Sequence, residues 1–203
     1  HQAKRVADYA IREQQYKRVA ILYPDTAYGR DLARLFAQEV RQQDGELIVS
    51  EPYKEGDSDF RAVIGKLKAE DLKKYGVEVQ VDNDPAKTGI RQGGKKGKRL
   101  LYSPGFDVVF IPGRSLDVGL LAAQLAFFDI AVPLLGANGW NQPDFARVAD
   151  RTVEGGVFAD GFFAESSSPV VQEFVARYRK RFQATPSLFA AQGYDAARLA
   201  VEA

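Results

Sequence analysis

Cysteine and methionine are absent from the 203 residues, and histidine and tryptophan occur once each, as His1 and Trp140. Each scarcity closes off a class of chemistry. Without cysteine there is no disulfide, no thiolate metal site and no cysteine nucleophile, although the absence suits an oxidising and a reducing compartment equally. With His1 alone, at a frayed end, a histidine-based triad, a histidine metal centre and histidine acid/base catalysis are all unsupported. The lack of methionine means that His1 is not a translation start, and helical patterns run up to both ends. The expectation is therefore a sequence cut from a longer protein. No apolar run approaches the roughly 20 residues that cross a bilayer, and no signal-peptide pattern is present, so any targeting or anchoring element is expected outside these residues. An excess of one charge is missing too. Lysine and arginine number 28 against 27 aspartate and glutamate, a formal net charge of +1, which implies neither nucleic acid nor an anionic membrane as partner.

What is present is 45% hydrophobic residues, enough for a substantial core, arranged in a repeating order. Residues 17–34 (KRVAILYPDTAYGRDLAR) organise the rest. Val19, Ala20, Ile21 and Leu22 are apolar without alternation, as in a strand covered on both faces. A polar loop follows, and then Leu32, Leu35, Phe36 and Val40 recur at helical spacing. Before this unit, Ala3, Val6, Ala7 and Ala10 mark a helix ending near Tyr16. After it, residues 46–53 read as a strand, with Pro52 near its end, and Asp57 or Ser58 is placed to cap a helix bearing Phe60, Val63, Ile64 and Leu67. Strands are predicted again over 107–112, 132–136 and 152–159. Between them lie a helix bearing Val118, Leu121, Ala122, Leu125 and Phe128 and a short helix started by Asn141 and Pro143. Two helices close the sequence. Ser168 and Pro169 start the first, with Val171, Phe174, Val175, Tyr178 and Phe182 on its inner face; Pro186 and Ser187 precede the second. Five strands alternating with helices predict an α/β fold, a doubly wound parallel sheet with helices on both faces.

One stretch breaks the rhythm. Residues 75–105 show no clear periodicity, and Lys87, Arg91, Lys95, Lys96, Lys98 and Arg99 are interleaved there with glycines. They read as an irregular basic surface insertion, because GGKKGK lacks Walker spacing and does not join a strand to a helix.

In a parallel sheet, the loops leaving the carboxyl ends of strands form the ligand crevice. Those loops carry Tyr23, Asp25, Thr26 and Tyr28, then Arg114 and Ser115, then Asn138 and Trp140. Aromatic walls with a few fixed polar atoms suit reversible binding of a small polar molecule. Trp140 serves equally well as a ligand wall or as a plug in the lobe. No paired carboxylates, nucleotide fingerprint or nucleophile with a base emerges, so an enzyme and a cofactor are not expected.

Six stretches in order resemble the type I periplasmic solute-binding proteins, in the branch that includes receptors for leucine, isoleucine and valine. They are KRVAILYPDTAYGRDLARLF, GDSDFRAVIGKLK, DVVFIPG, VPLLGANGW, TVEGGVFADGFF and TPSLFAAQGYDAARLA. The resemblance implies two α/β lobes joined by crossing strands and closing on a ligand, with a membrane permease as partner. By it, residues 1–160 are the second lobe, and 161–203 are a hinge crossing and helices of a first lobe whose opening part should precede His1. Tyr28 then matches a cleft tyrosine, and Arg114 or Ser115 stands where the receptors place another aromatic. Asn138 matches the acidic residue that pairs with a ligand's ammonium, which makes a free amino acid a poor ligand. FIPG, LLGANGWN, VEGGVFADGFF and AAQGYDAARL also resemble envelope lipoproteins of the same fold that activate penicillin-binding proteins. That likeness implies, as the alternative, a peptidoglycan synthase as partner and a periplasmic or outer-membrane-anchored location.

Overall fold

A computed structural model of the chain describes residues 1–83, 97–142, 145 and 150–202. The chain forms two compact units, residues 1–159 and 160–203.

The first unit is built on one parallel sheet. Its strands are β1 (Arg18–Pro24), β2 (Glu46–Tyr53), β5 (Val108–Phe110), β6 (Leu134–Gly136) and β7 (Val157–Phe158), in the order β2-β1-β5-β6-β7. Every pair in this order is parallel, as the unbroken apolar runs predict. β1 lies inside the sheet, and Val19 through Leu22 are fully buried. Successive residues point to opposite faces, so β1 feeds two cores. Ala20 and Leu22 join the cluster beneath α3 (Arg61–Leu72) and α4 (Ser115–Phe127), whereas Val19 and Ile21 join the cluster beneath α1 (Gln2–Asp8) and α2 (Ala27–Gln42). This is the expected doubly wound, three-layer α/β arrangement.

The helices differ from expectation in detail. α1 gives way at Tyr9–Glu13 to a wider π turn. On α2 the buried face is Gly29, Ala33, Phe36, Ala37 and Val40, so Leu35, expected inside, is exposed. α3 starts three residues beyond the predicted caps, where the Asp59 carboxylate, and not Asp57 or Ser58, accepts the Arg61 N–H at 3.1 Å. The short helix expected after Asn141 and Pro143 falls mostly outside the described residues.

The largest correction concerns the supposed irregular insertion. β3 (Val77–Asn83) and β4 (Gly97–Ser103) form an antiparallel two-stranded ribbon, with Val79 opposite Leu101. A carboxylate fixes its base. Asp71, fully buried on α3, accepts hydrogen bonds from the Tyr102 hydroxyl (2.6 Å) and the Gly105 N–H (2.8 Å). Lys68, one turn earlier, lies 4.4 Å from the centre of the Tyr102 ring and 3.7 Å from Glu78. The basic residues 87, 91, 95 and 96 lie outside the described residues.

In the second unit, α5 (Pro169–Phe182) and α6 (Leu188–Glu202) pack around Phe174, Val175 and Ala191. Phe182, expected on the inner face, is exposed, although its ring remains 4.6 Å from that of Tyr178.

Candidate functional site

All five parallel strands end at one edge, and the residues singled out from the sequence lie at the ends of these strands, in the loops that leave them or in the first turns of the helices that follow. The Thr26 hydroxyl caps α2 by accepting the Gly29 N–H at 3.1 Å. The cap fixes Tyr28 in the first turn. From there its hydroxyl donates to Asn138 Oδ1 at 2.6 Å, joining the loop after β1 to the loop after β6. Tyr28 and Asn138 are 110 positions apart in sequence, and this bond closes the middle of the edge.

The loops after β5 and β6 touch backbone to backbone. A side chain at Gly139 would collide with the Gly113 carbonyl, so the residue after Asn138 lies against the residue before Arg114. Arg114 is the N-terminal flanking residue of α4, and its guanidinium lies between two carboxylates, 3.6 Å from Glu55 and 3.5 Å from Asp117. Asp117 in the first turn of α4 is buried, and its Oδ2 also accepts the Gly56 N–H at 3.3 Å. Ser115 is buried as well.

The remaining predicted residues separate. Asp25 is committed to Arg30 at 2.5 Å on the exposed rim. Tyr23 is the penultimate residue of β1 and packs partly buried against the α1/α2 core. Trp140 fills the plug role left open by the sequence. Only 1% of its surface is exposed, its indole N–H donates to the Ile111 carbonyl at 2.9 Å, and Phe145 and Phe158 pack against it. It supports the edge from below, with no free face for a ligand. Thus Tyr28, Asn138, Arg114 and Ser115 share the edge, while Asp25 and Trp140 are spent on other contacts.

Two cavities lie away from this edge. One of about 670 Å³ lies at the opposite ends of the strands, beside Arg18, Tyr75 and Asp107. Another of about 570 Å³ lies in the second unit, beside Phe174, Arg177 and Tyr194. Among the described residues, no group of three or more His, Cys, Asp or Glu side chains could hold a metal, and no helix is long and apolar enough to cross a membrane.

The family described as periplasmic binding protein matches residues 1–203. The chain belongs to the periplasmic binding protein family. The Leu/Ile/Val-binding protein homolog 3 of Brucella melitensis is 23% identical over 159 residues, covering 78% of this chain and 34% of that protein. A solved leucine binding protein from Thermotoga maritima has a TM-score of 0.68 and 19% identity, covering 97% of this chain and 47% of the other. A solute binding protein of an ABC transporter from Rhodopseudomonas palustris, solved with 3,4-dihydroxybenzoic acid, has a TM-score of 0.61 and 22% identity, covering 99% of this chain and 47% of the other. The chain spans about a third of the length of the curated relatives it matches. The two structural likenesses show a shared type I periplasmic binding protein fold.

Three further edge residues of this family member were missed in the sequence: Tyr53, Glu55 and Asp117. Tyr53 ends β2 and sends its hydroxyl across the edge to Gly113, where a side chain would collide with it. Position at the carboxyl end of a predicted strand marked Tyr53, and one-turn spacing from Arg114 marked Asp117. Both signals were in the sequence.

Proposed function

We propose that this chain is part of a non-catalytic solute receptor of ABC-transporter type, whose ligand is a small amino acid of the leucine, isoleucine and valine class. In this reading residues 1–160 are the second lobe, and 161–203 are a crossing and helices of the first. The intact protein works in the periplasm and presents its ligand to a membrane permease. The observation that carries the reading is the Tyr28–Asn138 pair, an aromatic and amide wall bridging two loops at the carboxyl edge of the sheet. Membership of the family, the printed names of the relatives and the division of the chain at residue 160 support it. The alternative, an envelope protein acting on a peptidoglycan synthase, gains no support from these relatives.

The test is calorimetry and thermal unfolding of the intact protein with leucine, isoleucine and valine. Binding should stabilise it by about 2.7 kcal/mol at a hundredfold excess over Kd. Tyr28→Ala should weaken that binding. No binding of any of the three amino acids would overturn the reading.

A further inference from the structure

An amino acid brings an ammonium group, and the neutral amide of Asn138 has no charge to meet it. The edge nevertheless holds an unbalanced acid. One guanidinium, Arg114, faces the two carboxylates of Glu55 and Asp117, leaving one negative charge in excess, while the neighbouring Lys54 lies 3.7 Å from Asp57. Arg114 is shared between the two acids, 3.6 Å from Glu55 and hydrogen-bonded to Asp117 at 3.5 Å, longer on both sides than the about 2.7–2.9 Å of a tight charge-assisted hydrogen bond. Behind this trio, the Tyr53 hydroxyl and Asp117 Oδ1 are buried without a hydrogen-bond partner. Two such atoms need a physical reason, since each carries a desolvation cost. Burial first, and then the charges of Asp117 and Glu55, push the Tyr53 hydroxyl far above the ordinary tyrosine range, as expected for a negative local field.

We propose that Glu55, Arg114, Asp117 and the Tyr53 hydroxyl form the subsite for the ligand's cationic group, a role that rests on the receptor reading above. Glu55, a third exposed, is the carboxylate a ligand meets first. An ammonium taken up by Glu55 releases Arg114 to close on Asp117, so each charge gains a partner. Asp117 lies in the first turn of α4, where its carboxylate also accepts the Gly56 N–H. The counter-charge missing at 138 is thereby supplied from the end of β2 and the start of α4. The expectation that Asn138 disfavours a free amino acid then no longer applies.

The test compares leucine with 4-methylpentanoate, which has the same carbon skeleton but no ammonium, by calorimetry on the intact protein. Glu55→Gln should weaken leucine about tenfold or more while changing 4-methylpentanoate less than about twofold. Asp117→Asn should show the same selectivity, and should Asp117→Asn fail to fold, Glu55→Gln and Tyr53→Phe decide. Equal losses for both ligands, or no loss for leucine, would overturn the subsite and leave the cluster as a brace between loops. Failure of the unsubstituted protein to bind leucine would overturn the receptor reading, and this subsite with it.

Discussion

Tyr28 and Asn138 illustrate how one side chain positions another across the sheet. Tyr28→Phe keeps the ring and removes the donor to Asn138, one hydrogen bond on a partly exposed residue. The expected cost is about 0.5–1 kcal/mol in urea unfolding. An unchanged midpoint would mean that the two loops do not depend on this bond. Asp59 offers a pH probe of a different kind. Its carboxylate is held at about 2, first by the Arg61 side chain and then by the Arg61 backbone N–H. Because the folded value is depressed, its contribution to the start of α3 is present above the ordinary carboxylate range and is lost as pH falls towards about 2. A carboxyl NMR titration should show that low midpoint, and Arg61→Ala should move it towards the ordinary value. A midpoint already ordinary in the unsubstituted protein would remove the pairing. Trp140 shows where residue-level reading stops. Its type suits a wall and a plug alike, and only the placement of β6 beside β5 decides in favour of the plug.

At the scale of elements, β1, β2 and the helices around them were legible because burial on both faces and helical spacing leave unambiguous apolar patterns. The β3–β4 ribbon was not. Val77, Val79 and Val81 alternate with Glu78, Gln80 and Asp82, the period of a strand, but the partner strand follows a long glycine- and lysine-rich stretch that hides the hairpin. Exposed Val77, Val79 and Leu100 also give it little of the buried character by which the central strands announce themselves. Its attachment depends on Asp71, and Asp71→Ala would leave the Tyr102 hydroxyl and the Gly105 N–H buried without an acceptor. A loss of about 2–4 kcal/mol is expected in urea unfolding, with faster hydrogen exchange along both strands. If exchange in the ribbon is unchanged, the ribbon is held by contacts other than this carboxylate. The same limit explains the missed members of the site. The Glu55–Arg114–Asp117 cluster joins the end of β2 to the start of α4, and that meeting follows from strand order rather than from any local motif.

For the molecule as a whole, the receptor reading has the sheet present one edge to a ligand, and that edge is half of a binding site. Small ligands are held with most of their surface buried, which a single edge cannot achieve. In the two-lobed reading, the second set of contacts comes from the other lobe, and the ligand shifts the protein towards closure only by binding the closed state more tightly than the open one. Moving a population from 1:99 to 99:1 takes a preference of about 10⁴-fold, so losing contacts on one edge should reduce closure as well as affinity. Small-angle scattering of the intact protein should therefore show a smaller radius of gyration with saturating leucine. Tyr28→Ala, at equal saturation, should recover only part of that compaction, because the ligand then loses a contact that favours the closed state. Full compaction in Tyr28→Ala would place the closing contacts elsewhere, and no compaction in the unsubstituted protein would argue against a ligand-driven hinge.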